Sequence, residues 1–451
     1  MAQNSYALKI DSIIIQKFGS MVGGSRTTAN LEDSIDITLQ AHEVSIFENL
    51  FSPVIRCEIA VVDFIGLFVN FPMSGEEIIT IKYSTIADGA TPVTLYFVTD
   101  AVKNVNMGDD GRSVGFVLCG VAIEAWANAK QKVQQAYENS TLPQTAKKVF
   151  EEHIDKRTKK FFPRYLAPTF ITDDNDTKPC TFVIPNLSPF SAMSLLGDLA
   201  VNVVNDKNYT YLFYQTMTGF NFRTLQGLFT GRNARDAAKR YSYIYLSDEI
   251  NTSDSRLKND GRVVSNLVNN RRFGTLQKLS GGYFHNILFE INIAQKAVWG
   301  EDTKIEEINT LYDNKLNTEV YTNLAYVEGN SEESNRTKYV VTTQRENDDQ
   351  FPLSRSRDRW GKDMMSKSAM SQIDYTVTIP GTNRFKAGSL FHLEIPEMHG
   401  FEILKRDDFV SGLFMVTEVK HILTMGGYHT TVLRLNKDSY GDTIDRPSRY
   451  K

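Results

Sequence analysis

His392, Glu394, Glu397 and His399 form the densest grouping of metal-capable side chains in the sequence. Imidazole nitrogen and carboxylate oxygen together suit zinc, and His392 and Glu394, two positions apart, would share one face of a strand. Pro396 interrupts that strand, however, and the spacing H-x-E-x-x-E-x-H matches no catalytic arrangement, so solvated side chains at a strand end are the preferred reading. His421 and His429 flank Met425-Gly426 and would face each other across a hairpin, more simply as a cross-strand polar pair than as metal ligands. Asp173, Asp174, Asn175 and Asp176 suggest a calcium loop, but an EF-hand needs glycine at its sixth position and glutamate at its twelfth. Counted from Asp174, those positions hold Pro179 and Pro185.

The remaining candidates are weaker. Gly19 to Gly24 lacks the lysine of a phosphate loop, and neither G-x-S-x-G nor H-E-x-x-H occurs. Cys57, Cys119 and Cys180 show no metal spacing and no pairing pattern; the first two lie in strand-like runs and read as buried thiols made in a reducing compartment. Arg232, Arg235, Lys239 and Arg240 would mostly share one helical face, suited to an inter-subunit contact or to solvent rather than to nucleic acid. Glu151-Glu152-His153 reads as charge on a helix surface. No catalytic, cofactor-binding or metal-ligating residue is therefore assigned, and no cofactor is expected. A carboxylate pair brought together only by folding stays open as an alternative.

Size and composition set the frame for these residues. A chain of 451 residues exceeds one core and predicts two to four domains. Hydrophobic residues make up 41% and charged residues 23%, ordinary for a globular protein. The net charge is -4, with no basic tail to grip phosphate. No run approaches the roughly 18 apolar residues of a membrane span, and Lys9 and Asp11 interrupt the N-terminal apolar stretch, unlike a signal peptide.

Local patterning divides the chain into four parts. Residues 1–122 alternate as strands: Ser12 to Gln16, then Ile35, Ile37 and Leu39, Val54 to Val62, and Ile79 to Tyr83. Residues 123–235 read as an α+β middle domain, with helices expected over Ile123 to Tyr137, from Pro143, and from Ser188-Pro189. A strand pair, Thr210 to Gln215 and Phe220 to Thr224, turns at Thr218-Gly219. Residues 236–350 read as an irregular, partly β extension of the middle region, with strands near Tyr241 to Leu246 and Gly281 to Ile293 and loops at Asn251 to Asp260, Gly329 to Arg336 and Gln344 to Gln350. Residues 351–451 combine a helix over Ser354 to Ile373 with a second β domain from Tyr375 to Asn436.

The two β regions resemble each other. Ser74-Gly75, Ile78 to Ile81, Tyr96 to Asp100, Val102-Lys103, the turn Met107 to Gly111 and the returning strand Val114 to Val121 make one series. Ala387-Gly388, Leu390 to Leu393, Val416 to Lys420, the turn Met425 to Gly427 and the strand Thr430 to Leu435 make the other, about 315 residues later. A chain with two similar modules lets a closed trimer present six, because cyclic symmetry multiplies what each subunit holds. That favours a structural adaptor over an enzyme.

In pattern, the chain is similar to the central baseplate hub of contractile-tailed phages, a fold shared by the base of type VI secretion spikes. Three stretches carry the resemblance: Phe51-Ser52-Pro53-Val54 leading into Cys57 to Asp63 and Gly75 to Lys82; Ser188-Pro189-Phe190 with the Tyr211 to Arg223 strand pair; and Gly388 to Ile395 with Phe414 to Leu435. The resemblance implies an α+β, mostly β chain with two tube-type β-barrel domains flanking the middle region. It implies a ring-shaped homotrimer of pseudo-sixfold symmetry, seated between a tail tube and a trimeric central spike, around a channel for genome ejection. Expected partners are the spike or needle protein, the tube or its initiator, the C-terminus of the tape-measure protein and baseplate wedge proteins. DNA would be met only in transit, the membrane would not be stably entered, and the place would be the virion tail after assembly in the host cytoplasm. A type VI or tailocin-like spike base is one alternative; such chains usually continue into their own needle, so a separate needle would be expected here. A cell-wall hydrolase is the other.

Overall fold

Alternating apolar residues draw the first part of the chain into seven strands: Leu8–Gln16 (β1), Ser34–Asp36 (β2), Ala41–Asn49 (β3), Arg56–Asp63 (β4), Ile78–Thr85 (β5), Val93–Met107 (β6) and Val114–Ala122 (β7). The computed structural model describes residues 8–17, 34–85, 89, 91–108, 113–173, 179–200, 210–230, 232–245, 262–272, 274, 276, 278, 281–293, 296–304, 316–317, 319–320, 337–342, 357–370, 373–396, 406–407 and 409–440. The seven strands lie in the order β3-β4-β7-β6-β5-β1-β2, every neighbour antiparallel. Ile13, Ile15, Ile46, Ile59, Ile79, Ile81 and Phe97 bury their side chains in one core, as the alternation requires. Leu39 departs from it. Asp36 Oδ1 accepts from the Thr38 N–H at 2.8 Å and from its hydroxyl, which turns the chain after β2 and leaves Leu39 94% exposed.

The middle region follows as Glu124–Ala129 (α1), Val133–Ser140 (β8), Leu142–Val149 (α2), a π-helical turn over Phe150–Asp155, Lys156–Phe161 (α3), Thr169–Thr172 (β9), Cys180–Leu187 (β10), Pro189–Leu199 (α4), Tyr211–Thr216 (β11), Gly219–Thr224 (β12), Leu225–Thr230 (α5) and Arg232–Arg240 (α6). The helix expected over Ile123 to Tyr137 ends at Ala129, and Val133 onward forms a strand against β10. Ala, Gln and Lys favour helix by only tenths of a kcal/mol per residue, about 0.7 at most. The antiparallel ladder, with Val133 and Tyr137 buried, outweighs that preference. The helix from Ser188 forms as the sequence predicts: Ser188 Oγ accepts from the Ser191 N–H at 3.4 Å and Pro189 occupies the first turn.

The rest of the chain adds Tyr243–Tyr245 (β13), Val263–Val264 (β14), Asn266–Arg272 (β15), His285–Asn292 (β16), Ala297–Lys304 (β17), Glu319–Val320 (β18), Thr337–Thr342 (β19), Arg357–Ala369 (α7), Ile373–Pro380 (β20), Leu390–Glu394 (β21), Gly412–Thr424 (β22), Tyr428–Lys437 (β23) and Ser439–Tyr440 (β24). Of the expected helix over Ser354 to Ile373, the described residues Arg357–Ala369 form α7, and Ile373 opens a strand. β17, β16 and β19 make a small separate sheet. The segments Asn251 to Asp260, Gly329 to Arg336 and Gln344 to Gln350 lie outside the described residues.

β13, β14 and β15, from residues 236–350, join the sheet of the closing β region. That sheet runs β15-β20-β23-β22-β21-β13-β14. Set beside β3-β4-β7-β6-β5-β1-β2, it has the same spatial order, and the strands follow one another along the chain in the same sequence. Phe414 of β22 stands where Phe97 of β6 stands, and both are fully buried. A bulge recurs as well: Asp100 is skipped between the pairs Thr99↔Gly120 and Ala101↔Cys119, and Thr417 between Val416↔Leu435 and Glu418↔Arg434. The copies differ in pairing direction at one end: β1 runs antiparallel to both β5 and β2, whereas β13 runs parallel to both β21 and β14.

Among the described residues neither module closes into a complete barrel. The edge of β3 that closure would need is occupied by β22 of the other module, so the two sheets run on as one.

Close packing of the first module is sharpest at Gly120, between β4 and β6. A Cβ there would stand 2.8 Å from Cys57 Sγ and 3.0 Å from Phe97 Cβ. Gly120→Ala should therefore destabilise the fold by about 2 kcal/mol through overpacking. In urea unfolding of the single and double variants, Cys57→Ala should cost less in the Gly120→Ala background than alone, because the two atoms compete for one space.

Candidate functional site

The feature most able to do work is the seam between the modules. β22 uses both edges. Leu390 to Leu393 pair with its first residues, from Met415 back to Gly412, and β23 pairs with it on the other side from Met415 to Thr424. Beyond the Thr417 bulge its first edge changes partner. Glu418↔Asn49 through Thr424↔Glu43 form seven antiparallel pairs with β3. Three backbone bonds extend the contact: Leu50 N–H to Thr417 O at 2.8 Å, Met425 N–H to His42 O at 3.1 Å, and Leu8 N–H to Gly427 O at 2.8 Å. Leu423 reaches across the seam into the first module's core and is fully buried there.

Polar groups lock the seam from inside. His421 Nδ1 and His429 Nε2 lie 3.1 Å apart, both rings buried, so the expected cross-strand pair is present. Burial, then the neighbouring His429, lowers the His421 pKa to about 3 and keeps its ring neutral. Tyr83 of β5 sets its ring edge-on to His429 and donates its hydroxyl to Asn383 Oδ1 at 3.0 Å, tying the modules at a second point. Gly381 lies against the His429 ring where a Cβ has no room.

Glu48 stands where all three regions meet. Its carboxyl accepts from the Met217 N–H at 2.6 Å and the Ala387 N–H at 2.9 Å, so one side chain of β3 holds the β11–β12 turn and the approach to β21. Burial raises its pKa to about 7, against the pull of the two N–H donors and of Lys386. Glu124 helps tie the middle region to the first module. It accepts from Tyr165 Oη at 2.9 Å and Gln215 Nε2 at 3.2 Å, while Gln215 Oε1 accepts from the Ile55 N–H. Burial raises the Glu124 pKa as well, opposed by those hydrogen bonds. Sequence reasoning missed both carboxylates, because a lone Glu in an apolar strand or helix gives no signal until its partners, far away in the chain, arrive.

Among the described residues, the candidate chemistry residues do not converge on one site. His392 is buried, with Ser242 Oγ 2.8 Å from its Nδ1 and Glu394 Oε1 at 3.8 Å. Burial, then Arg406 and Lys239, hold its pKa down at about 4. Glu397 and His399 lie outside the described residues, and among those described no three His, Cys, Asp or Glu side chains converge as metal ligands. Asp173 is structural: it accepts from Arg223 Nε at 3.0 Å and from the Thr224 N–H at 2.9 Å. Asp174, Asn175, Asp176 and Gly19 to Gly24 lie outside the described residues. Cys57, Cys119 and Cys180 are buried free thiols, and burial pushes the Cys57 pKa up. Arg235 of the basic run donates to Leu316 O at 3.0 Å. A cavity of about 320 Å³ lies between α5, α6 and β21, lined by Arg223, Tyr241, Arg384 and His392 with no carboxylate among its lining residues. No described helix is long and apolar enough to cross a membrane.

The comparisons agree with this geometry. No family model matches the sequence, and no curated protein does either. Among solved structures, the chain is similar to a tail protein from Neisseria meningitidis MC58, with TM-score 0.52, 12% identity, and 96% of this chain and 97% of that one covered. It is equally similar to the 43 kDa tail protein of prophage MuSo2 from Shewanella oneidensis: TM-score 0.52, 11% identity, coverage 95% and 98%. The chain shares the fold of these two tail proteins. An E. coli type VI secretion component described as similar to T4 tail proteins gp27 and gp5 overlaps more loosely, at TM-score 0.41 and 9% identity. The match to the two tail proteins runs nearly end to end, so it covers both β modules and the middle region rather than one of them.

Glu48 and His421 titrate in opposite senses. The fold holds extra proton on Glu48 between about pH 4.5 and 7, so this group makes stability fall as pH rises there. His421 binds its proton only in the unfolded chain between about pH 3 and 6.5, so it makes stability rise with pH. Glu48→Gln removes the first effect alone. Its stability relative to the unsubstituted chain should improve by about 3 kcal/mol between pH 4.5 and 7.5, read by denaturant unfolding; a pH-independent difference would mean Glu48 is ionised throughout.

Proposed function

We propose that this chain is the structural hub of a contractile phage tail baseplate, and that three copies form a ring of six similar modules. The observation that carries the reading is the seam. It joins the far half of β22 to β3, and these strands correspond in the repeat to β6 and β15. The contact is thus between unlike edges of two like modules. Unlike edges make a head-to-tail contact, which repeats round an axis instead of stopping at a pair. A chain whose two modules already stand in that relation is two steps along a cyclic path, and three chains supply six steps. One face of such a ring can meet a sixfold tube, while the threefold arrangement of middle regions can seat a trimeric spike.

The role is mechanical and non-enzymatic. Glu48 and Glu124, the two buried carboxylates at the junctions, are both engaged by structural donors, which leaves no free acid pair there for cell-wall hydrolysis. In this reading the partners are the central spike or needle, the tail tube or its initiator, the end of the tape-measure protein and baseplate wedge proteins. The ring axis is a channel for DNA in transit, and the location is the virion tail.

Mass photometry and sedimentation of the purified chain should give a trimer of about 150 kDa from the 51.1 kDa subunit, and images down the axis should show six lobes of alternating kind. Monomers throughout, together with six copies per assembled particle, would sink the reading. On gels cast with bacterial cell wall the protein should leave no clearing.

A further inference from the structure

We infer that subunits join by strand addition: the outer half of β6 in one copy pairs antiparallel with β15 of the next copy. The inference rests on the ring reading above and specifies which edges close it.

The argument begins from what the repeat leaves unmatched. In the second module the far half of β22 lies between two strands, β23 and β3. In the first module the far half of β6 has only β7 among the described residues. Its other ladder, to β5, ends at Val98, with one further bond from the Thr99 N–H to Glu77 O. Lys103 to Met107 are exposed along this edge. Likewise β3 lies between β4 and β22, whereas β15 pairs only with β20 among the described residues. Each module therefore has the same two docking edges. The seam consumes one from each module and leaves the other pair without a partner strand among the described residues. Open edges of this length invite pairing with another chain.

The register follows from the shared bulges. Lys103 pairs with Val117 as Lys420 pairs with Val432. One residue is then inserted in β6, where Asn104 takes a φ of 52°, so that Asn106↔Gly115 and Met107↔Val114 stand where Ile422↔Thr430 and Leu423↔His429 stand. On the other strand, Leu267↔Val377 and Val268↔Thr376 stand where Val44↔Ile59 and Ser45↔Glu58 stand. The seam pairs Leu423 with Val44 and Ile422 with Ser45. The equivalent contact between copies sets Met107 opposite Leu267 and Asn106 opposite Val268.

The side chains fit this placement. Leu423 leaves its own module to fill the neighbouring core and is fully buried. Met107, its counterpart, is 84% exposed, and Val105 on the same edge is 56% exposed. Leu267, which would receive Met107, already packs against the second module's core, and Val268 beside it is 45% exposed. Large apolar side chains at a strand end are unfavourable in water and are explained if a second copy covers them.

Two variants test this on the full chain. Asn106→Cys/Val268→Cys should give covalent trimers under mild oxidation, with partial dimers, on non-reducing gels; either cysteine alone should give none, since the three native thiols are buried. Met107→Asp, at an exposed position, should leave the circular dichroism and melting temperature of the monomer unchanged. It should weaken association at least tenfold in sedimentation. A wild-type trimer whose double-cysteine form does not cross-link and which Met107→Asp leaves intact overturns this interface but keeps the ring. A chain that neither associates nor cross-links at any concentration, and takes another copy number in the particle, overturns both.

Discussion

Two sheets that share a backbone ladder cannot turn against each other without breaking it. The seven pairs between β22 and β3 make the relation between the modules a property of one continuous sheet, not of a linker. Nothing in a surface contact of side chains would fix the angle so closely, because side chains adapt while strand spacing and register do not. The rest of the molecule is arranged around that constraint. β22 has 13 residues because one half belongs to each neighbour, and the Thr417 bulge marks where it passes from one to the other.

Carboxylates and histidines that would suggest catalysis elsewhere serve this constraint here. Glu48 accepts from two backbone N–H groups that no strand partner satisfies, one from the middle region and one from the second module. A buried N–H without an acceptor costs about 1–3 kcal/mol, so one carboxyl settles two such sites and fixes three regions to a common point. His421 and His429 fill buried positions of the seam beside Leu423 and pair one ring nitrogen of each with the other. The pH dependences of Glu48 and His421 oppose each other between about pH 4.5 and 6.5.

Much of this was legible in the sequence, for physical reasons that can be named. The helix at Ser188-Pro189 was set by a cap and a ring-locked first turn, both local. The repeat was visible because the same hairpin needs the same apolar alternation and the same turn: Phe97 and Phe414 must both point inward. What failed was non-local. Val133 to Ser140 is composed like a helix and becomes a strand only because Cys180–Leu187 lies beside it. β13 and β14 are very short and β15 is mostly polar, and the membership of β13 and β15 in the second sheet depends on strands more than 100 residues later in the chain, such as Ile373–Pro380. The seam itself had no sequence signature, since a strand that changes partner halfway looks like any long strand.

The differences between the copies are as informative as the likeness. If the two modules were perfect repeats, each could pair with any other, and a chain could join its own kind in either phase. The copies instead diverge at their docking edges. β22 runs regularly from Glu418 to Thr424 and offers Leu423, while β6 carries an inserted Asn104 and offers Met107 and Val105. The recipients diverge too, Val44 and Ser45 in β3 against Leu267 and Val268 in β15. The extra residue at Asn104, at positive φ, interrupts the β6 ladder where β22 runs on in register, so in the proposed ring each edge would fit its own partner better than its counterpart's. In the proposed ring, one contact is made within the chain as it folds and the other is left for a second copy, which would separate folding from assembly while both use the same strand geometry.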